Sequence, residues 1–225
     1  IICFGTDSIS SNDGLSSHMY LTSRNSNGQT NWSISIAPST IGVTGYVGMC
    51  IDNTNEGGFI LGGTEIISNG TGNACVVKVD LNGAVEWYQL LNGGWLVKSI
   101  KQTSDGGYAC LTENGIIYRL DANGNTIWSE DLVLSATSGD LELSNSGNII
   151  VSYNDLVSPT VIRGSVISYS DGGQLNWSFS DVDGTIYSGL TILPNNDIVV
   201  GGRGFDGVDA SRLVKLTGAG TIIWG

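Results

Sequence analysis

The stretch LDANGNTIW, residues 120–128, decides how this chain reads. It runs from an apolar residue through an acid and an Asn-Gly turn signal to a tryptophan, and it recurs. RNSNGQTNW ends at Trp32, VDLNGAVEW at Trp87, YSDGGQLNW at Trp177 and LTGAGTIIW at Trp224. In all five copies a glycine stands four residues before the tryptophan: Gly28, Gly83, Gly124, Gly173 and Gly220. Successive tryptophans are 55, 41, 49 and 47 residues apart, a spacing that signals a repeat architecture.

A second motif lies upstream of each tryptophan after the first. NEGGFILGG from Asn55, SDGGYACLT from Ser104, SNSGNIIVS from Ser144 and PNNDIVVGG from Pro194 each join a polar turn to an apolar, β-prone run. Each unit then reads as strand, DGG-like turn, strand, variable loop, strand, NG-like turn, strand. Four strands in a repeat of 41–55 residues predict an all-β protein, a β-propeller of about five blades. The blades are expected at about 1–44, 45–93, 94–136, 137–185 and 186–225, within a single propeller over 1–225. The opening IICFGT matches FILGGT (59–64), so the first blade is expected to lack its innermost strand. The chain begins without an initiator methionine or leader and stops at Gly225 partway through a strand, so the expected whole is a larger propeller in a longer polypeptide. Pro38, Pro159 and Pro194 all fall in loops or turns, as sheet ladders require.

The register of the NG turn has two readings. If Asn123 and Gly124 alone make the turn, Trp128 faces Arg119, and Trp87 and Trp224 face Lys78 and Lys215, giving three cation–π pairs. If three residues make it, with the glycine left-handed, Trp128 faces Tyr118. Trp87 then faces Val77, Trp177 Ile167, Trp224 Val214 and Trp32 Thr22. Four of those five partners are apolar, and Asp80 and Asp121 take the first turn position, which favours Asp. The three-residue turn with apolar partners is the expectation.

LDANGNTIW and VDLNGAVEW resemble the tryptophan-docking motif of PQQ-like repeats. TSDGGYACL and NEGGFILGG, followed by VVKVDLNGAVEW or LVKLTGAGTIIW, resemble the DGGY-type repeats of bacterial, archaeal and phage surface proteins. The resemblance covers nearly the whole chain. It implies that an Asp, a Gly and a Trp fasten one blade to the next, with Trp32, Trp87, Trp128, Trp177 and Trp224 and the five glycines as docking residues. The copies depart from the pattern in places. Ser170 replaces the acid and Ser168 replaces the basic residue in the fourth, Asn25 and Ser23 do so in the first, and Thr217 replaces the acid in the fifth.

Composition excludes several classes of function. The net charge is −12, with nine Lys plus Arg and 13% charged residues, which leaves no basic stripe for phosphates and makes nucleic acid an unexpected partner. No apolar run reaches about 18 residues, so no membrane insertion is expected. Cys3, Cys50, Cys75 and Cys110 have no CxxC spacing and are expected to be buried thiols in strands. The single His18 is read as a packing or solvent-facing residue. Asp181 and Asp183 in SDVDGT, and Asp206 and Asp209 in GFDGVDAS, are weak calcium candidates. Neither pair extends into a full calcium loop, so ordinary turn roles are the alternative; no other cofactor is expected. The sequons at Asn31 and Asn176 are set by the strand tryptophan, whereas Asn69 lies in a loop able to carry a glycan.

Loop variation on a rigid scaffold is where function usually resides. The DGG and NG turns repeat, whereas GGTEIISNGTGNA (62–74), TENGI (112–116) and SYNDLVSPTVIRG (152–164) differ in length. A protein or glycan partner is therefore expected on the variable-loop face. Trp95, the one tryptophan outside the rule, aligns with Tyr46 at the start of a strand, and either structural packing or ligand stacking would suit it. The expected function is a non-catalytic binding or structural module outside the cell, such as an adhesin, surface-layer part or virion appendage. Two rivals are a lectin-like five-bladed propeller resembling the tachylectin type and a quinone-dependent dehydrogenase. The latter would require a cofactor pocket, calcium and a carboxylate base.

Overall fold

Runs rich in Val, Ile, Tyr and Thr, punctuated by Gly, Asn and Asp, favour strands joined by tight turns. The computed structural model describes residues 2–11, 14–37, 42–68, 70–132, 137–205 and 209–225. Among them are nineteen strands and no helix. The first blade holds β1 (Ile2–Ser11), β2 (Gly14–Arg24) and β3 (Thr30–Ile36), and the second β4 (Val43–Asn53), β5 (Phe59–Ile67), β6 (Gly72–Val79) and β7 (Val85–Leu90). The third comprises β8 (Val97–Gln102), β9 (Tyr108–Thr112), β10 (Ile116–Leu120) and β11 (Thr126–Asp131). The fourth comprises β12 (Thr137–Leu143), β13 (Ile149–Ser158), β14 (Val161–Tyr169) and β15 (Leu175–Asp183). The fifth comprises β16 (Thr185–Ile192), β17 (Ile198–Phe205), β18 (Asp209–Leu216) and β19 (Ile222–Trp224). Each blade is an antiparallel meander, and one parallel bridge between Ser17 and Gly45 joins the first two into a single sheet. The chain is a β-propeller with three strands described in its first blade.

Strand alternation places the core between blades. Along β5, Leu61 packs with Met19, Leu21 and Val77 toward the first blade, whereas Ile60 packs with Val76, Ile100 and Tyr108 toward the third. Ala109, Leu111 and Ile117 meet Leu141 and Val151 at the next interface, and Ile150 and Val166 meet Val200 and Val214 at the last. Successive side chains of a strand point to opposite faces, so each blade feeds two interfaces.

The NG turns have the three-residue form. Gly124 N donates to Asp121 O (3.1 Å), Asp121 N donates to Asn125 O (2.8 Å), and Gly124 has φ +83°. The DGG turns share this geometry, and at the fourth of them Asn196 (φ 65) fills the left-handed position that glycine holds elsewhere. The expected partners, however, are wrong. Leu120 pairs with Thr126, but Arg119 pairs with Trp128, because Ile127 is an extra residue bulged out of the ladder. The same bulge occurs in all five hairpins. It sets Trp32 opposite Ser23, Trp87 opposite Lys78, Trp177 opposite Ser168 and Trp224 opposite Lys215. The turn is the three-residue one and the pairing is that of the two-residue alternative.

The acid that opens the turn acts within it, rather than between blades. Asp121 Oδ1 accepts from Asn123 N (2.9 Å) and Asn125 N (2.8 Å), and Asp80 accepts from Asn82 N and Ala84 N. Asn25 makes the same pair of contacts, and the hydroxyls of Ser170 and Thr217 retain the second of them. These side chains replace one another because each places an oxygen over the turn amides.

The tryptophans lie on the next blade's glycine. A Cβ at Gly124 would sit 2.8 Å from Trp87 Cζ3, at Gly173 3.1 Å from Trp128 Cδ2, and at Gly83 3.2 Å from Trp32 Cζ3; at Gly220 it would overlap Trp177. Trp128 Nε1 also donates to Asp171 O (2.8 Å), and Trp177 Nε1 to Gly218 O (3.1 Å). Half an indole removed from water contributes about 2 kcal/mol per contact. Nothing lies within 4 Å of a Cβ at Gly28, and Trp224 is 45% exposed. Gly124→Ala and Gly28→Ala both place a side chain at positive φ, at a cost of about 1–2 kcal/mol. Urea denaturation should show Gly124→Ala about 1–3 kcal/mol more damaging than Gly28→Ala, because only the former displaces an indole.

Candidate binding face

Basic residues opposite the tryptophans tie the turns to one another. Arg119, 1% exposed, donates from Nη2 to Asp105 Oδ2 (2.7 Å) in the DGG turn of its own blade and from Nε to Asp171 Oδ1 (2.6 Å) in the NG turn of the fourth blade; its Nη1 meets Leu120 O. Lys78 reaches Glu56 (3.3 Å) and Glu86 (2.9 Å), and Lys215 reaches Asp197 (2.8 Å). In the two serine blades the bulged asparagine bonds the serine instead: Asn31 Nδ2 to Ser23 Oγ and Asn176 Nδ2 to Ser168 Oγ. The asparagines of the two NWS sequons are thus bulge residues; Asn69 lies outside the described residues. Neighbouring DGG turns are also linked. Gln102 Oε1 accepts from Asn55 N (2.7 Å), and Asn145 N donates to Asn196 Oδ1 (2.9 Å). The face carrying the DGG and NG turns is a stitched surface.

The opposite face carries the strand 2–3 hairpins and the links between blades. Two segments expected to be long loops are mostly strand. Residues 62–74 form the arms of β5 and β6, and 152–164 form a hairpin closed at Pro159 and Thr160. Ladder hydrogen bonding keeps these polar backbones paired, so the variable element is arm length rather than loop length. Leu156 and Val157 stand exposed near the tip of the β13–β14 hairpin.

The calcium candidates behave differently there. Asp181, from the fourth blade, receives Arg212 Nε (2.8 Å) and Nη2 (2.7 Å) and Tyr187 Oη (2.6 Å) from the fifth. Burial would raise the Asp181 carboxyl, but the Arg212 and Tyr187 hydrogen bonds hold it below its ordinary value. Asp183 binds Arg163 (2.6 Å). Both carboxylates are therefore in arginine pairs that join strands and blades, the more economical use of a charge at a half-buried edge. Asp206 and the Asp209 side chain lie outside the described residues. Asn154 adds a further clamp between the same blades, donating to Tyr187 O (2.9 Å) and accepting from Tyr187 N (2.7 Å).

The thiols and the histidine sit in strands. Burial pushes Cys50 up to about 12 and raises Cys75 and Cys110 as well, so these three are protonated and inert at neutral pH. Cys3 is exposed and Cys50 only partly buried, both against expectation. His18 lies within β2, with Nδ1 2.8 Å from Ser35 Oγ. Among the described residues no group of three or more His, Cys, Asp or Glu is arranged to hold a metal.

Trp95 and Tyr46, aligned in the repeat, have opposite environments. Tyr46 is 5% exposed and rests on Tyr88, whose hydroxyl donates to the buried Glu65 (2.7 Å). Trp95 is 57% exposed and precedes β8 instead of lying in it. The alignment gave no sign of this difference. Its signal in the sequence was Gly93, where Thr44 stands in the second blade; Gly94 matches Gly45.

No protein-family model and no curated protein sequence matches the chain. Solved structures match it in shape. A Bacteroides caccae protein of unknown function is 12% identical, with 98% of this chain and 92% of that one covered and a TM-score of 0.50. The β-propeller domain of Cps50 (Swd1) from Myceliophteria thermophila is 17% identical, with coverage of 92% and 68% and a TM-score of 0.53. The WD40 β-propeller domain of Doa1 is 14% identical with a TM-score of 0.55; the match covers 82% of this chain and about half (54%) of that chain. At these identities the likeness establishes the propeller fold alone.

The buried guanidinium allows a sharp stability test. Asp105→Asn combined with Asp171→Asn strands Arg119 without a counter-charge and should cost about 3 kcal/mol. Arg119→Met should cost less, because it frees two carboxylates that water already reaches. The Thr103 hydroxyl, the Gly107 amide and Arg119 hold the Asp105 carboxyl at about 2, below its ordinary value. Its contribution is present above about pH 4 and is lost as pH falls through about 2. Urea-derived stability plotted against pH should lose that acid slope in Asp105→Asn.

Proposed function

We propose that this propeller is a non-catalytic binding module, placed outside the cell, whose partner docks on the hairpin face. One observation carries the reading: on the hairpin face Leu156, Val157 and Trp95 are exposed on segments that do not repeat, whereas the apolar residues exposed at the other end, such as Leu81 and Ile127, belong to the hairpins that recur in every blade and are bound up in ion pairs and hydrogen bonds. Exposed apolar and aromatic groups beside polar rims are the usual anchors of a binding surface. The buried, protonated thiols and the arginine-paired carboxylates of the described residues suit a scaffold better than a nucleophile or general base. The extracellular setting rests on composition, 13% charged residues with a net charge of −12.

A fluorescently labelled chain should bind the surfaces of some members of a panel of bacterial and archaeal cells. Leu156→Asp with Val157→Asp should weaken that binding at least tenfold without lowering Tm. Leu81→Asp and Ile127→Asp, more exposed still but on the repeat hairpins, should leave it unchanged. Absence of binding, or loss only in the second pair, would overturn the reading.

A further inference from the structure

Trp95 is fixed more firmly than an exposed side chain needs for stability. The five residues that carry it are held in succession by the neighbouring strands. Tyr118 Oη donates to Asn92 O (2.6 Å), Asn114 Nδ2 to Gly93 O (3.0 Å) and Ala74 N to Gly94 O (3.0 Å). Trp95 N donates to Asn114 Oδ1 (3.3 Å), and Glu113 N to Leu96 O (2.8 Å). A Cβ at Gly94 would come 2.8 Å from both the Ala74 Cβ and the Thr112 Cγ2, so only glycine lets the segment wedge between the second and third blades. The indole edge rests on Gly72, where a Cβ would lie 2.7 Å from its Nε1. The result is a flat aromatic surface, more than half exposed, on a backbone with little freedom.

Beside it is a cleft of about 450 Å³, lined by residues 70–73 and 93–95. β7 ends its pairing at Leu90, opposite Cys75, and the turn after it still bonds Ala74, so the outer edge of β6 is without a partner strand beyond Ala74. Ala74 turns its N–H and C=O to Gly94 and Leu91. In an antiparallel ladder alternate residues face the same side, so Gly72 turns its N–H and C=O into the cleft. The cleft thus offers an aromatic platform with a backbone donor and acceptor at its edge, and four glycines keep its walls low.

We propose that this cleft is a subsite for a single neutral pyranose, its ring face on Trp95 and neighbouring hydroxyls on the Gly72 amide and carbonyl. A ring with apolar C–H faces and an equatorial rim of hydroxyls matches a platform flanked by paired donor and acceptor, and the volume suits one or two such rings. A peptide adding as a strand needs a longer open edge than the one residue left between the hairpin tip and Ala74. A nucleotide would stack equally well, but its phosphates would meet a chain of net charge −12. Equivalent sites in every blade do not follow, because the aligned Tyr46 is buried. The inference names a ligand class for the proposed binding face and rests on that reading.

The test uses saturation-transfer NMR on the full chain with methyl glucoside, methyl galactoside, methyl mannoside and methyl N-acetylglucosaminide as probes. At least one should receive saturation at the C–H protons of one ring face. Trp95→Ala should weaken that probe at least tenfold, whereas Trp95→Phe, which keeps a platform, should retain it within a few-fold. The melting temperature should not move in either, since the side chain is exposed. No transfer to any probe, or an affinity unchanged in Trp95→Ala, would overturn the subsite. Either result alongside weakened cell binding in the Leu156 and Val157 variants would leave the binding module standing with a different ligand.

Discussion

The structure depends on an indole packed against a left-handed glycine in the next blade, in the space a Cβ would fill. That contact needs three things at once. The glycine must lack a Cβ, the turn must present its last residue at positive φ, and the tryptophan must point out of its own sheet toward the next blade. The three-residue turn supplies the first two. The bulge after it supplies the third by shifting the tryptophan one place, onto the same side as Lys78, Arg119 and Lys215. Those cations then reach the acidic turns, so the position of one aromatic ring organises the charge on a whole face.

A face organised this way has little room to vary. Changing a DGG or NG turn disturbs the amide-capping oxygen within it, the glycine seat shared with a neighbouring blade, or a cation bridge, which at Arg119 also reaches the next blade. The hairpins at the other end of the blades are not built on a repeated turn. Their arms lengthen or shorten in ladder-paired steps, from the minimal Glu113–Gly115 turn to the long β13–β14 pair, without unsettling the interface cores. Constraint on one face and freedom on the other follow from the same contact.

Much of this was legible in the residues. The five Gly-to-Trp steps, the strand count and the three-strand first blade follow from the period and from turn chemistry. The turn type was legible too, since Asp121 and Gly124 occupy the positions that physics assigns them. The register was not. A bulge leaves no composition of its own, and Asn31, Glu86, Ile127, Asn176 and Ile223 share no property that marks them as extra. A signal did exist in pairs: Lys78 with Glu86, and Ser with Asn in the two serine blades, match across the bulge, and only the shifted register brings them together. Loop length misled for a different reason. Gly-rich and Ser-rich segments such as 62–74 carry turn residues, yet their backbones remain paired as strand.

The six tryptophans illustrate how one residue type divides between roles. Five are placed by the repeat, and four of those lie partly covered on a glycine that exists to receive them. Trp95 also sits beside a glycine, Gly72, which meets it at Nε1 and Cδ1, yet it stays more than half exposed. Its supporting hydrogen bonds come from Tyr118, Asn114 and Glu113 of the third blade and Ala74 of the second, so two blades position a group that contributes little to either core. Stability alone gives no reason to fix a backbone so closely around an exposed ring. Recognition does, because a platform ordered before its ligand arrives loses less entropy on binding.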